Sequence, residues 1–249
     1  MIIKNYKILS NRLPHSCVIF SLLSLVIEAS FAREVVVGED SDGRKSIRAT
    51  RFSENVRIDG ILNESIYESV DPIGDFVQHL PVSGAIASDK TEVWVFYNDR
   101  SIYVTAKVYE SVPEEDWVAN EMRRDVFRLR SNDSFSVMFD TFLDRRNGVA
   151  FLVSPIGGFS DFTINNEGMA TRPVNFDWNV VWDSRVGRFD GGWTVEMEIP
   201  FRSLRYEPRS EQEWGIQFRR VQIRLNEATY ITNIPISAAN IGPPMVAGM

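Results

Sequence analysis

The stretch TEVWVFYNDRSIYVTAKVY, residues 91–109, decides the fold class of this chain. In its second half, from Ile102 to Tyr109, apolar side chains fall on every second position, which is the period of a β-strand. In its first half, from Val93 to Tyr97, both alternating sets are apolar, which is typical of a strand covered on both faces. The turn-forming residues Asn98–Ser101 join the two halves, so the stretch predicts a β-hairpin.

The same two-residue period extends over most of the chain. It predicts further strands at 134–140, 149–153, 178–186, 193–199, 214–225 and 229–234. Turn residues separate these strands, which is typical of a β-sandwich or jelly roll. Asn63, followed by Ile66 and Tyr67, marks a one- or two-turn helix. The sequence therefore predicts an all-β, jelly-roll-like antiparallel β-sandwich with one or two short helices.

Residues 1–32 have the pattern of a secretory signal peptide. Lys4, Lys7 and Arg12 precede an apolar run at residues 18–27, and small residues precede a cleavage site after Ala32. The apolar run is shorter than the ~20 residues that a transmembrane helix needs. An N-terminal anchor that is not cleaved is the alternative. The pattern predicts an exported protein.

The rest of the chain divides into two predicted parts. Residues 33–50 are polar, with a Gly/Asp/Ser run in the middle, and predict a flexible N-terminal segment. Residues 51–249 predict the sandwich. Because residues 243–249 contain no polar side chain, we interpret the sandwich as truncated at its C terminus.

Charge and cysteine content exclude some classes of protein. The 249 residues carry a net charge of -7. Residues 1–32 hold three of the 27 basic and one of the 34 acidic residues, so the remainder has 24 basic and 33 acidic residues. So acidic a chain argues against a nucleic-acid partner. The single cysteine, Cys17, lies in the predicted signal peptide, so we expect no disulfide in the mature protein.

Side chains for hydrolytic catalysis are sparse. The sequence has no G-x-S-x-G motif, and His79, beside Pro81, is predicted to be a solvated loop residue. Glu196 and Glu198 lie two apart on one predicted strand, about 7 Å from each other, a spacing compatible with a glycosidase pair. Because the residues between and beside them are apolar and take the core side, we expect both glutamates to face solvent.

Four residues around one predicted strand and its turn offer oxygen ligands. They are Asp133, Asp140, Asp144 and Asn147. Carboxylate and amide oxygens are the ligands that Ca²⁺ prefers, so this group is a candidate site for structural calcium. The alternative is turn chemistry, in which Asp and Asn bond to their own backbone.

Three tryptophans are candidates for stacking on sugar rings. Trp178 and Trp182 lie four apart on a predicted strand and so share a face, and Trp117 lies in a charged loop. Sugar-binding proteins stack the apolar face of a pyranose on a flat, exposed aromatic ring. The alternative is that these tryptophans fill the core.

Two groups of arginines form basic patches. One lies on the strand at 214–225, and the other lies in the loop before residue 130. Their members are Arg219, Arg220, Arg224, Arg123, Arg124 and Arg128. Because acidic residues outnumber basic ones, we expect these arginines to pair with Asp and Glu rather than with a polyanion.

Seven segments occur in order between residues 52 and 235: Ile58–Glu64, Thr91–Tyr97, Asn132–Asp140, Asp144–Gly148, Trp178–Trp182, Trp193–Phe201 and Trp214–Arg220. Together they resemble the family 9 carbohydrate-binding modules. More closely, they resemble the family-9-like domain at the N terminus of certain outer-membrane β-barrel proteins of Gram-negative bacteria. The resemblance implies a jelly-roll module that binds sugar without catalysis and often holds structural calcium.

The sugar clamp that the resemblance implies is not visible in this sequence. Sugar-binding members hold a terminal sugar between two Trp and fix its hydroxyls with charged residues. One stacking Trp falls near Arg130, a nearby acid falls at Ser136, and a neighbouring Arg falls at Leu152. The second Trp lies after the last matched strand. A fold by itself implies no function, so the residues at the clamp positions decide whether the resemblance extends to sugar binding.

Three hypotheses of function follow. The first is non-catalytic binding of a polysaccharide or oligosaccharide by an exported module of a glycan-degrading or glycan-uptake system. The second is a structural N-terminal domain that caps or docks onto an outer-membrane β-barrel without binding sugar. The third and least favoured is a glycoside hydrolase within a larger polypeptide, acting through Glu196 and Glu198. We expect the protein in the periplasm or at the outer membrane of a Gram-negative bacterium.

Overall fold

Alternating apolar side chains build two β-sheets that pack face to face. The structure, a computed structural model, describes residues 37–39, 45–52, 56–166 and 174–234. In these ranges seven strands form one sheet, five form a second, and two form a small hairpin. The predicted all-β sandwich with few helices is confirmed.

The bounds of the strands follow the turn residues. The strands are β1 (Val37–Glu39), β2 (Lys45–Ile47), β3 (Thr50–Arg51), β4 (Val77–Leu80), β5 (Thr91–Tyr97), β6 (Ser101–Tyr109), β7 (Ser134–Asp140), β8 (Gly148–Val153), β9 (Phe159–Ile164), β10 (Val174–Asn175), β11 (Asp183–Phe189), β12 (Gly192–Pro200), β13 (Gly215–Gln222) and β14 (Glu227–Tyr230). An α-helix, α1 (Ile66–Ser69), and 3₁₀ turns at Glu114–Asp116, Phe127–Ser131 and Phe201–Ser203 lie between them. Among the described residues, no helix has the length and hydropathy to span a bilayer.

The strand order of the two sheets is set by pairing that is mostly antiparallel. The seven-stranded sheet has the order β10-β9-β8-β7-β13-β14-β4, and the five-stranded sheet has the order β11-β12-β6-β5-β3. Within these two sheets β3 and β5 run parallel, and the other described pairs are antiparallel. The predicted hairpin is β5–β6, with register from Thr91 opposite Val108 to Tyr97 opposite Ile102.

The core lies between the two sheets. From the seven-stranded sheet it takes Phe135, Phe151 and Phe218, and from the five-stranded sheet it takes side chains such as Val104 and Val195, all fully buried. Burying one such side chain stabilises the fold by about 1.5–3 kcal/mol. The described residues contain no cysteine, so this core holds the sheets together without disulfides.

A buried polar cluster joins the sheets at one end of the sandwich. Arg220 points from β13 into the core and is 1% exposed. Its terminal nitrogens donate to the carbonyl of Lys90 at 3.0 Å and to Glu110 at 3.0 Å. Glu110 also accepts hydrogen bonds from Trp193 Nε1 and Gln222 Nε2. We call these residues the inner cluster, and its contacts connect β13 of one sheet to β6 and β12 of the other.

One local prediction of secondary structure differs from the structure. The strand predicted at 178–186 begins only at Asp183 and runs to Phe189. In the segment 33–50, where the sequence predicts a flexible entry that can end in a strand, β1 and β2 pair with each other. The predicted signal peptide and the predicted C-terminal truncation lie outside the described residues.

Candidate functional site

The outer face of the seven-stranded sheet carries a mixed row of polar and apolar side chains, of which Arg219 is half-buried and the other four are buried. Five neighbouring strands each place one residue in a row of direct Cα partners: Ser160, Leu152, Ser136, Arg219 and Tyr230. Neighbouring strands lie about 4.8 Å apart, so the row spans about 19 Å. We call this surface, together with the 3₁₀ turn Phe127–Ser131 that packs on it, the outer face.

A second apolar cluster anchors this turn to the sheet. Leu129, fully buried, packs with Met138 and Leu152 of the sheet, and Phe176 packs at its edge. Strand alternation explains the arrangement, because Phe135 and Val137 point to the core while Ser136 and Met138 point outward. The turn is thereby held where its side chains reach the row.

Two polar groups of the outer face have no hydrogen-bond partner. The Nε atom of Arg219 and the hydroxyl of Ser160 are both buried and unpaired. In the described part of the chain, no carboxylate forms an ion pair with Arg219 or Arg130. A buried polar group without a partner costs about 1–3 kcal/mol. Such groups also occur inside the fold, at Thr105 and at Arg220 Nε, so they do not by themselves mark a ligand site.

Aromatic rings flank both arginines. The Cζ atom of Arg130 lies 5.6 Å from the ring centroid of Phe127 and 5.7 Å from that of Phe176. These two rings meet edge to face, with 6.4 Å between centroids, and Phe127 is 68% exposed. The Cζ atom of Arg219 lies 5.9 Å from the ring centroid of Tyr230. The outer face thus combines two guanidinium groups with one aromatic ring that is open to solvent.

The two arginines also act on each other. Partial burial and the positive charge of Arg219 lower the pKa of Arg130, while Tyr230 raises it. Both groups stay charged at neutral pH, because arginine does not lose its proton in proteins. An anion placed between them would offset the repulsion of the two cations.

Trp182 does not provide a stacking platform. It is 7% exposed, and its Nε1 donates to Asp161 at 3.0 Å. Its ring packs edge to face on Phe151 and Phe159, with centroids 5.0 and 5.2 Å away. A ring with no open face cannot hold a sugar, so the sugar-binding prediction is wrong for this residue. The core alternative is the correct interpretation.

Trp178 and Trp117 are half-buried. The ring of Trp178 lies 6.0 Å from Phe151 at the edge of the core. Trp117 donates through Nε1 to the carbonyl of Val112, and the Arg188 guanidinium lies 5.1 Å from its ring centroid. Neither belongs to the outer face, and their role in sugar stacking stays a prediction.

The four candidate calcium ligands do not come together. Asp133 and Asp140 lie seven residues apart along an extended strand, a separation of about 23 Å. Asp133 accepts backbone hydrogen bonds from Val118 and Ile223, which belong to other segments. Asp133 therefore cannot share one metal ion with the turn after β7.

The other three ligands close that turn. Asp140 accepts from the backbone N–H of Asp144 and Arg145, and Asp144 accepts from the backbone and side chain of Asn147. Among the described residues, no group of three or more His, Cys, Asp or Glu could hold a metal ion. These residues do not fit a calcium site, and the turn-chemistry alternative describes them correctly.

Glu196 is buried, although we expected it to face solvent. It points away from the core, but the segment before α1 covers it. Its Oε2 accepts from the N–H groups of Asp59 and Gly60 at 2.9 and 2.7 Å, and its Oε1 accepts from the hydroxyl of Tyr67 at 3.0 Å. Burial raises the pKa of Glu196. The carboxylate holds this segment on the sheet.

Close backbone packing supports the same contact. Gly60 has φ of +87°, and a Cβ there would lie 2.6 Å from the backbone of Val186. Glu198, the other member of the glycosidase hypothesis, is half-buried and accepts from Ser101 and Tyr103 at 2.9 Å. Both glutamates therefore serve contacts within the protein.

His79 is also buried rather than solvated. It lies on β4, 5% exposed, with Nδ1 3.2 Å from the carbonyl of Ile234. Its ring meets Tyr230 edge to face at 5.8 Å. The loop prediction from the neighbouring Pro81 is wrong, because pairing of β4 with β14 draws this residue into the sheet.

Two concave surfaces lie elsewhere on the molecule. The larger, which we call the aromatic groove, has a volume of about 1140 Å³ and is lined by Tyr97, Phe201, Tyr206 and Trp214 among others. The smaller cleft, of about 440 Å³, is lined by Glu64, Glu68, Glu92, Lys107 and Arg188 among others. Their lining residues do not include the row of the outer face.

Solved structures share this architecture. A family 9 carbohydrate-binding module from Caldicellulosiruptor kristjanssonii in complex with cellotriose matches with a TM-score of 0.51 and 14% identity, over 74% of this chain and 83% of its own. A family 9 module from the same organism in complex with glucose matches with a TM-score of 0.55 and 14% identity, over 81% and 92%. This chain has the fold of the family 9 carbohydrate-binding modules. At this level of identity, the likeness shows the fold alone.

A third solved structure also matches the fold of this chain. It is a candidate carbohydrate-binding protein from Bacteroides uniformis, with a TM-score of 0.60 and 10% identity, over 80% of this chain and 94% of its own. No protein-family model matches this chain, and no curated protein matches it.

The clamp positions implied by the family 9 resemblance converge on the outer face. Ser136 and Leu152 are direct Cα partners, and Arg219 is the partner of Ser136 on the other side. Arg130 lies beside Arg219 on the turn above them. The positions that the resemblance assigns to the clamp therefore lie on one face of the sheet in this chain, together with Arg219.

Sequence reasoning missed Arg219, Phe127 and Phe176 as site residues. We treated Arg219 and Arg220 as one patch that pairs with acids. That is correct for Arg220, Arg224, Arg123 and Arg124, which pair with Glu110, Asp116, Glu121 and Asp161, whereas Arg219 and Arg128 have no ion pair among the described residues. The signal was present, because Phe218 is a core residue and strand alternation then places Arg219 outward and Arg220 inward.

Proposed function

We propose that this protein binds carbohydrate, without cleaving it, at the outer face of the seven-stranded sheet. The observation that carries the proposal is the ring of Phe127, which is 68% exposed and lies 5.6 Å from the guanidinium of Arg130 on this face. The fold supports it, since structures with this fold include modules in complex with cellotriose and glucose.

The chemistry of the outer face suits a sugar. A pyranose has an apolar C–H face, which packs on an aromatic ring such as that of Phe127. Its hydroxyls both donate and accept, so they can pair with an exposed guanidinium such as that of Arg130.

Titration calorimetry with a panel of neutral and acidic oligosaccharides tests the proposal. We expect measurable binding by the purified chain and a loss of about 3- to 10-fold in affinity for Phe127→Ala, the range expected for one aromatic contact. Phe142→Ala is the matched control, because Phe142 is also exposed but lies in the turn after β7. No heat with any sugar at millimolar concentration would refute carbohydrate binding.

Chromatography of the same mixtures tests the absence of cleavage. We expect each oligosaccharide to be recovered intact after prolonged incubation, since Glu196 is enclosed by Asp59, Gly60 and Tyr67. Appearance of shorter products that Glu196→Gln abolishes would overturn this part of the proposal.

The aromatic groove is the competing location. Tyr206 and Trp214 line it with centroids 5.4 Å apart. We expect Tyr206→Ala to bind sugar like the wild type. A loss with Tyr206→Ala together with full binding by Phe127→Ala would move the site to the groove.

We also propose that the protein is exported to the periplasm or the outer membrane. The basic, apolar and small-residue order of residues 1–32 supports this. N-terminal sequencing of protein from the periplasmic fraction should begin at Arg33, and an intact Met1 in the cytosol would contradict it. A role in a glycan-uptake or glycan-degrading system, and a partner at the outer membrane, rest on the resemblance and stay predictions.

A further inference from the structure

We propose that the loop at residues 80–86 inserts its apolar side chains into the interfacial region of a lipid bilayer, so that the protein associates with a membrane surface. We call these residues the apolar loop. It leads from β4 to a segment that pairs back on β4 at the edge of the seven-stranded sheet, where Ile86 lies opposite Val77. This inference does not depend on sugar binding at the outer face.

The apolar loop exposes aliphatic side chains of a size that folded proteins normally bury. Ile86 is 83% exposed, Val82 is 60% exposed and Leu80 is 43% exposed. Nine large apolar side chains are exposed among the described residues, and three of them lie within these seven positions. Clusters of exposed apolar side chains mark surfaces that bind another protein or a membrane.

The distribution of charge distinguishes between these two kinds of partner. Each of the other six exposed large apolar side chains has an Asp, Glu, Lys or Arg within two positions in the chain. They are Ile61, Met122, Phe127, Phe142, Val181 and Ile223. The three in the apolar loop have none, and residues 76–88 contain no such residue at all. Because charges are costly to bring into a bilayer, whereas the rim of a protein interface is polar, the absence of charge favours lipid.

Two titratable groups next to the loop are turned away from solvent. Glu227 precedes the β14 partner of Leu80, but it is 4% exposed and accepts hydrogen bonds from the N–H and the hydroxyl of Ser88. His79, directly before the loop, is buried, and its Nδ1 contacts the carbonyl of Ile234. Neither group places a charge on the surface that the loop presents.

Backbone groups of the apolar loop are bonded within the loop and to Gln78. The N–H of Gly84 donates to the carbonyl of Gln78 at 2.8 Å, and the N–H of Ala85 donates to the carbonyl of Val82 at 3.0 Å. The buried side chain of Gln78 accepts from the N–H of Val82 and donates to the carbonyl of Ile86. Lipid offers no hydrogen bonds to the backbone, so a loop that is bonded internally is suited to enter it.

Co-sedimentation of the purified chain with phosphatidylcholine vesicles tests the proposal. We expect weak, reversible binding at millimolar lipid, because three partly exposed aliphatic side chains supply less apolar area than one myristoyl chain. Phosphatidylglycerol in the vesicles should not strengthen binding, since the loop has no basic residue. No binding to either vesicle, or binding only to the anionic one, would overturn the proposal.

Matched variants assign the binding to the loop. Val82→Ser and Ile86→Ser should each weaken it about 3- to 10-fold, the range expected when one aliphatic side chain is partly inserted. Val181→Ser and Ile61→Ser are the controls, because these side chains are also exposed, Val181 by 68%, but lie outside the loop. Circular dichroism checks that each variant is folded. Equal losses in the loop and control variants would refute the assigned residues.

A dye in the loop separates lipid from the other candidate occupants. The described residues end at Ile234, whose carbonyl contacts the residue before the loop, so residues 235–249 and a second copy of the chain are the alternatives. An environment-sensitive dye on Ser83→Cys, with the single natural cysteine replaced by serine, should report polar surroundings alone and apolar surroundings with vesicles. The same dye on the exposed Ser210→Cys should not respond.

The results without vesicles decide between the alternatives. Apolar surroundings of the Ser83→Cys dye in the absence of lipid would overturn the proposal. If that signal is independent of protein concentration, residues 235–249 cover the loop, and if it rises with concentration, a second copy does. Sugar binding at the outer face would stand in either case, because no residue of the apolar loop belongs to that face.

Discussion

Arg219 and Arg220 are adjacent on one strand, yet they lie in opposite environments. Arg220 points between the sheets, where carbonyls and Glu110 receive its terminal nitrogens. Arg219 points outward, where it meets the ring of Tyr230 and no carboxylate among the described residues. The same side chain therefore stabilises the fold on one face of the sheet and is available to a ligand on the other.

The difference comes from what covers each face. The five-stranded sheet brings backbone carbonyls at the ends of β5 and β6, together with Glu110, over the inner face of β13, so the inner cluster forms when the sheets pack. Among the described residues, the turn Phe127–Ser131 packs on the outer face and contributes Arg130 and the ring of Phe127 rather than an acid. Four measurements would break or sharpen this comparison.

Removing Arg220 should have the largest effect. Arg220→Met leaves Glu110 buried without its counter-charge, so we expect the free energy of unfolding to fall by about 3–5 kcal/mol. Urea denaturation measures it. Arg219→Met is the matched variant and should change the free energy by less than about 1 kcal/mol. Equal losses in the two variants would contradict the comparison.

A variant of Glu196 tests whether a buried, hydrogen-bonded carboxylate also stabilises the fold on the face of a sheet that points away from the core. Glu196→Ala leaves the N–H groups of Asp59 and Gly60 and the hydroxyl of Tyr67 without their acceptor. We expect a loss of about 2–4 kcal/mol in urea denaturation. Glu198→Ala, with two hydroxyl donors at a half-buried site, should lose less, and the reverse order would be inconsistent with the structure.

The pH dependence of stability should reveal the same carboxylate. Burial raises the pKa of Glu196 above its ordinary value, so its ionisation costs more in the folded than in the unfolded chain. Its contribution is therefore greatest below the ordinary carboxyl pKa and is lost as the pH rises through that value to the raised one. A tenfold difference in proton affinity between the folded and unfolded chain corresponds to about 1.4 kcal/mol.

The measurement compares the wild type with Glu196→Gln by urea denaturation across this pH range. The stability of the wild type relative to the variant should decrease as the pH rises, because the amide does not titrate. Arg219→Met should follow the wild type throughout. An increase with pH would show that the pKa is lowered instead.

The smallest effect is expected at Ser160. Its buried hydroxyl has no partner, so Ser160→Ala removes no hydrogen bond, and the free energy of unfolding should equal that of the wild type or exceed it by up to about 1 kcal/mol. Ser154 is the matched control, since it is also buried and its Oγ accepts the N–H of Gly158 at 3.0 Å. Ser154→Ala should lose about 1 kcal/mol. A similar loss at Ser160 would mean that its hydroxyl is satisfied.

Some features were predictable because they depend on neighbours in the chain. The β5–β6 hairpin and β7 follow from alternation and turn residues, and their predicted bounds agree closely with the structure. The strand at 178–186 failed because Asp161, on a different strand, fixes Val180 and Trp182 in an irregular segment. No pattern in the local sequence predicts that contact between distant residues.

The residues of the candidate site show the same division. Phe127 and Arg130 occupy a turn with no period, and nothing in their spacing places them over Arg219. Glu196 has the outward position that alternation predicts, and only the segment at Asp59–Tyr67 buries it. In this fold, a side chain that points outward from the core is therefore not always exposed to solvent.

By itself, the sequence determined a two-layered all-β protein with an acidic surface, because strand period and turn chemistry are properties of a few consecutive residues. The tertiary structure alone decided which charges are neutralised. Ion pairs and hydrogen bonds join residues from different strands, so only the packed sheets show that Arg220 has its acid and that Arg219, one residue earlier, does not.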